Sequence, residues 1–195
     1  MGHPCFIFAP ETRTLATMKF EYPTNRLMML YNDNGMIDID DAVRLKPFDE
    51  EETRTFLLRW NPAISSFTWR EYCRCVESWP DGFCMGWSIF EWRKAREGDR
   101  YYMLRVGEGD TGLMFRGEFL SPPYEDEDWA GRGIPRHYVD INCLEPVSPD
   151  SKPHVTTAML QEAMPEVEWN KGHSGVLLSL AQAKTLDRLW NALDN

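Results

Sequence analysis

The residues with the most chemical potential lie in "DGFCMGWSIFEWRK", from Asp81 to Lys94. Two carboxylates and a lysine can hold a divalent metal ion and position a water for phosphodiester hydrolysis, and here they would be Asp81, Glu91 and Lys94. The step from Glu91 to Lys94 is one residue too long for that arrangement. Glu91 is explained more simply as the third residue of a capping box that Ser88 opens. "GEGDTG", Gly107 to Gly112, spells G-x-G-x-x-G, which holds a pyrophosphate only where a strand runs into a helix; a strand pattern follows it here, so it reads as a hairpin turn. "GHSG", Gly172 to Gly175, lacks the glycine spacing of a nucleophile elbow. "NDNGMIDIDD" lacks the first ligand and the terminal glutamate of a calcium loop. His3, His137, His154 and His173 share no ligand spacing, and Cys5, Cys73, Cys75, Cys84 and Cys143 show neither a zinc spacing nor a disulfide framework. These residues assign no catalytic group, no metal and no cofactor.

Trp87 raises a different question. As the residue just before a helix N-cap at Ser88 it would act as a hydrophobic staple against Trp92 and be part of the core. As a site residue it would stack on a ligand while Ser88 and the free backbone N–H groups of the helix start face that ligand. Both readings stand on the same residues.

The elements around Trp87 follow from periodicity. "TRTFLLRWNP" is a β-rich run that stops at Asn61-Pro62, as a strand entering a loop does. In "SSFTWREYCRCVESW", Trp69, Tyr72, Cys73 and Val76 share one helical face behind a Thr68/Glu71 capping box, which places Cys73 toward the core. The Ser88/Glu91 box predicts a second helix through "IFEWRKARE", closed by Gly98. "DRYYMLRV" and "TGLMFRGEFLSP" predict a hairpin joined through "GEGD", and "RHYVDINCLEPV" a further strand. "HSGVLLSL" is a candidate final strand, and "SLAQAKTLDRLWNAL" a helix with Leu186, Leu189, Trp190 and Leu193 on one face. Toward the N-terminus, "PTNRLMMLYNDNG" reads as a short helix ending at Gly35 and "MIDIDDAVRLKPFDEEE" as an extended, acidic link. Short helices among neighbouring antiparallel strands favour a small twisted or barrel-like sheet over a doubly wound parallel one.

The 195 residues suffice for one good core. The net charge of −10 argues against non-specific binding to nucleic acid, which needs clustered Lys and Arg. That acidity sits in the flanks. Residues 1–52 carry 5 basic and 10 acidic groups and residues 141–195 carry 4 and 7, whereas 53–140 carry 12 and 14 and most of the arginines, which leaves room for a local basic face. No apolar run approaches the roughly 20 residues that span a bilayer, and the N-terminus lacks the pattern of a signal peptide. With its unpaired cysteines, the chain is expected in the cytoplasm.

The order of the motifs carries a resemblance. "FLLRWNP", a helix, "GWSI", "GDRYYMLRVG", "TGLMFRGEFLSPPYED" and "RHYVDIN" together resemble the EVE domain of the PUA-like superfamily, related to the YTH readers of methylated adenine. The likeness implies an α+β fold, a PUA-like small twisted β-barrel with flanking short helices, over residues 53–195, with 1–52 as an N-terminal extension, partly disordered or accessory. It also implies a module that binds nucleic acid and takes a modified or flipped-out base of DNA or RNA into an aromatic cage, rather than an enzyme. Carried over by position, Trp87 resembles the first cage tryptophan, Ser88 reads the base edge, Trp129 supplies a second wall, and Asn61 and Ser65 line the pocket. Arg132 and Arg136 resemble phosphate contacts. An effector protein is a further expected partner, since such modules occur joined to effector domains. Two other readings stay open: a hydrolase of modified nucleosides resembling the ASCH type, with Lys94 and Glu91 as its only candidate groups, and a small-molecule or protein-interaction domain.

Overall fold

The computed structural model describes residues 5–8, 15–18, 31–32, 35–36, 54–80, 82–128 and 131–192. The first four of these stretches form two short antiparallel ladders. Strand β1 (Cys5–Phe8) pairs with β2 (Leu15–Met18), and β3 (Tyr31–Asn32) with β4 (Gly35–Met36). Of the helix expected to end at Gly35, residues 23–30 lie outside the described residues, and Gly35 itself stands in a strand opposite Asn32. The acidic link lies outside them as well, apart from Met36.

From Arg54 onward the chain builds one mixed sheet of eight strands with three short helices, an α+β architecture. Strand β5 (Thr55–Trp60) is the apolar run expected there, and four of its first five residues are buried because both of its faces are covered. It pairs in parallel with β7 (Arg100–Arg105), from Thr55 opposite Arg100 to Trp60 opposite Arg105. Strand β7 forms the expected hairpin with β8 (Gly112–Glu118), and Gly107 and Gly109 take the positive φ that its turn requires. Strand β10 (Arg136–Leu144) touches β8 at its far end and pairs over seven residues with β6 (Gly82–Ser88). The short strands β9 (Tyr124–Asp126), β11 (Val155–Thr156) and β12 (Val176–Leu177) add to β10, β8 and β5 respectively.

Two expected features change. The Ser88/Glu91 box opens no helix. Strand β6 runs through Ser88, and beyond it the chain stays tied to its neighbours, with Ile89 N donating to His137 O, Phe90 N to Ser174 O and Glu91 N to Gly175 O. Helical geometry is confined to a three-residue 3₁₀ turn, Trp92–Lys94, which Glu91 precedes without a side-chain capping bond. Sheet pairing over seven residues outweighs a local capping signal of about 1 kcal/mol. The second change concerns helix α1 (Trp69–Ser78), whose Thr68/Glu71 box forms in both directions. It buries Tyr72 and Cys75 and leaves Cys73 half-exposed. Tyr72 O–H donates to Val147 O at 2.6 Å and so fixes the inward direction. At about 100° per residue, Cys75 lies roughly 60° from Tyr72 and Cys73 roughly 100°.

The core is aromatic. Trp60, fully buried, meets Phe67, Trp69 and Tyr72 with ring centroids 5.1–5.9 Å apart, and Tyr72 stacks in turn on Phe115. On the other side, helix α2 (Thr157–Ala163), capped by Thr156, and helix α3 (Leu180–Asn191), capped by Ser179, bury Leu160, Leu186 and Trp190. Leu189 is half-buried beside them, and Leu193 lies outside the described residues.

The sheet is not closed, so the expected barrel does not form as a continuous ladder. Its path runs β12-β5-β7-β8-β10-β6, and the gap between its ends is crossed by Ser174 and Gly175. Gly175 N donates to Leu57 O of β5 while the carbonyls of Ser174 and Gly175 accept from Phe90 and Glu91. Only glycine fits at this seam. Gly175 has φ +79°, and a Cβ there would sit 2.4 Å from Ile89 Cγ1.

Candidate functional site

A cleft of about 440 Å³ opens at this seam, where the ends of β5 and β6, the start of β10, the loop 61–66 and the segment 170–174 meet. Such a volume is in the range of small-ligand pockets. Of the residues singled out in the sequence, it brings together Trp87, Ser88, Asn61, Ser65 and Arg136.

Trp87 belongs to the core and to the cleft at once. It is 7% exposed, its ring meets Phe67 edge-on at 6.5 Å, and Nε1 donates to Ser174 Oγ at 2.9 Å. The same hydroxyl oxygen accepts from Arg59 N at 3.0 Å, so one serine ties the indole of β6 to the backbone of β5. No staple joins Trp87 to Trp92. Trp92 stacks instead on His137, 3.7 Å away and 4° from parallel, with the Arg93 guanidinium 4.3 Å from the Trp92 ring centre. Ser88, opposite Tyr138 in the ladder, is half-exposed, and its hydroxyl has no hydrogen-bond partner among the described residues.

Asn61 and Ser65 spend much of their bonding on their own loop. Asn61 Oδ1 accepts from Ala63 N, its carbonyl accepts from Ile64 N and Ser65 N, and Ser65 Oγ accepts from Phe67 N. The two arginines expected at phosphates part company. Arg136 is exposed, lines the cleft and lies 3.7 Å from Asp128. Arg132 does not line it: its guanidinium grips Asp128, whose side chain is fully buried. Trp129 lies outside the described residues.

Arg59, His173, Ser174 and Tyr138 are among the lining residues that the sequence does not single out. Arg59 donates to His173 O at 2.6 Å and Glu168 O at 3.0 Å, fastening the segment 168–174 against β5 while burial pulls its pKa down. His173, set aside with the other histidines, stacks on Phe90 at 4.0 Å, and Ser174 lies in the failed nucleophile elbow. Tyr138 donates to Glu127 O at 2.9 Å. Between 109 and 115 positions separate Arg59 from its partners Glu168, His173 and Ser174, and no local pattern signals such a pairing.

Among the described residues the cleft is lined by Arg59, Arg136, His137 and His173 and by no carboxylate, although the chain's net charge is −10. A concave site with one sign of charge concentrates ligands of the other sign. Glu91 and Lys94 do not line it. They pair with each other, and Glu91 also accepts from Leu177 N at 2.6 Å. Burial raises the Glu91 pKa, but the bonds from Lys94 and Leu177 outweigh it and hold the carboxyl below its ordinary value. Asp81 lies outside the described residues, and among the described residues no three His, Cys, Asp or Glu side chains gather as metal ligands. No helix among them is long and apolar enough to cross a membrane.

No protein-family model and no curated protein matches the chain in sequence. Among solved structures, the chain is similar to that of a hypothetical protein from Leishmania major, at 13% identity and a TM-score of 0.52, over 75% of this chain and 100% of that one. The two share a fold. The crystal structure of the YTH domain of the Zygosaccharomyces rouxii MRB1 protein in complex with N6-methyladenosine RNA aligns over 72% of this chain and 88% of that one, at 16% identity. Its TM-score of 0.38 is too low to place any residue of the cleft.

Proposed function

We propose that residues 53–195 form a PUA-like binding module of the EVE type that takes a modified or flipped-out base of DNA or RNA into the cleft, with residues 1–52 as an accessory extension. One observation carries this reading: a pocket of base-compatible volume, walled by an immobilised indole and lined by arginines and, among the described residues, by no carboxylate. A base contributes on the order of 1–3 kcal/mol by contact with an aromatic side chain. The hydroxyl of Ser88 supplies a group for the base edge, and Arg136 supplies charge for a phosphate at the cleft mouth. The ASCH-type hydrolase reading gains no support from Glu91 and Lys94, which bond to each other outside the cleft.

Tryptophan fluorescence provides the test. The protein is titrated with methylated, hydroxymethylated, acetylated and plain nucleosides and with short oligonucleotides carrying them, at low and moderate salt. Quenching by one modified base, weak for its plain counterpart and reduced in Ser88→Ala, is the expected result. A panel without response at low salt would overturn the reading in favour of a protein-interaction or small-molecule domain.

A further inference from the structure

The mouth of the cleft displays two large apolar side chains. Ile64 is 69% exposed and Phe90 56% exposed, and both line the cleft, while Ile134 and Leu180, the other two large hydrophobics this exposed among the described residues, do not. Single exposed hydrophobics are ordinary on a protein surface, so their mounting decides what they signify. Ile64 stands on a braced loop. Asn61 receives Ala63 N on its side chain and Ile64 N and Ser65 N on its carbonyl, and Trp60 Nε1 donates to Phe67 O at 2.6 Å at the loop's far end. Gly107 packs so closely beneath it that a Cβ would meet Asn61 Oδ1 at 2.7 Å. Phe90 is fixed as well, by its N–H to Ser174 O and its ring on His173. Both project beside a lining that bears arginines and, among the described residues, no carboxylate, a charge that complements a phosphate backbone.

We propose that Ile64 and Phe90 are wedge residues, which enter the base stack of a duplex as the displaced base moves into the cleft. The inference rests on the base-binding reading above and adds the kind of partner, a double-stranded nucleic acid. Opening a base step forfeits stacking contacts, and an apolar side chain inserted there takes over the contacts that the stack gives up. A free nucleoside makes no such demand. The wedge therefore matters for duplexes alone, and it acts through shape, so an apolar replacement preserves it.

The test uses the full chain and two sets of probes: the nucleosides of the panel, and short DNA and RNA duplexes bearing the same bases beside 2-aminopurine, whose fluorescence rises on unstacking. Wild-type protein is expected to bind a duplex and brighten its 2-aminopurine. Ile64→Ser and Phe90→Ser are expected to weaken duplex binding about tenfold more than they weaken nucleoside binding and to abolish the brightening, and Ile64→Leu to restore the duplex. Equal losses on nucleoside and duplex would make both residues plain cleft walls and overturn the wedge. Unchanged duplex binding in both serine variants, or a wild-type protein that binds nucleosides and no duplex, would overturn it while leaving base binding intact. A protein that binds none of the probes removes base binding and the wedge with it.

Discussion

Trp87 shows how a side chain can be fixed by the core and still be offered to a ligand. Its burial and its bond to Ser174 hold the ring in one orientation, so little side-chain entropy remains to be lost on binding. The same burial makes truncation a poor probe of function. Trp87→Ala is expected to cost about 3–5 kcal/mol of stability, read as a lower urea midpoint, because it empties space beside Phe67. Ser174→Ala removes the shared acceptor of Trp87 Nε1 and Arg59 N, and should cost about 1–3 kcal/mol while increasing the solvent exposure of the indole, visible as a red-shifted emission. Arg136 offers the cleaner functional test. It is exposed and only distantly paired with Asp128, so Arg136→Ala should leave the thermal midpoint unchanged, weaken oligonucleotide binding and lower the slope of log affinity against log salt by about one. Arg132→Ala should leave that slope intact, since Arg132 lies outside the cleft lining.

Among the elements, Glu91 links the 3₁₀ turn to the strand that follows the seam. Its pKa is held below the ordinary value, so it contributes stability that is complete above the ordinary carboxyl range and is lost as pH falls through that range toward the lowered value. Glu91→Gln keeps an acceptor for Leu177 N and removes the charge. The stability gap between wild type and variant, measured by urea unfolding, should therefore be present at neutral pH and shrink in acid. This region also shows what the sequence disclosed. Strand β5, the β7–β8 hairpin, strand β10, helix α1 and helix α3 were all legible, because period-two or helical apolar patterns and local caps specify them within one segment. The capping box after Trp87 points to a helix although Phe83, Met85, Trp87 and Ile89 alternate as a strand requires, and each of them is buried. A capping box spans four residues and registers locally, whereas the pairing with β10 depends on residues about fifty positions away. Five of the seven proposed site residues line one cleft, yet Ser174 and Arg59 carry no signal in the sequence, because what makes them matter is a contact across 115 positions.

For the whole molecule, the charge has to be considered by location. An acidic chain with an arginine-bearing cleft should bind anions only where the cleft admits them, and weak general affinity for nucleic acid should disappear first as salt rises. The seam at Ser174 and Gly175 has a consequence for biosynthesis. A nascent chain that has emerged through β10 contains both strands of the ladder that pairs Trp87 with Val139, but it lacks the serine that orients the indole and the glycine that joins β5 to the residues after β6. Because chains emerge from their N-terminal end, the cleft acquires its last wall late in synthesis. Translation products that stop before the seam would expose the Trp87 edge without a finished pocket, making them candidates for quality control and not competitors for the ligand.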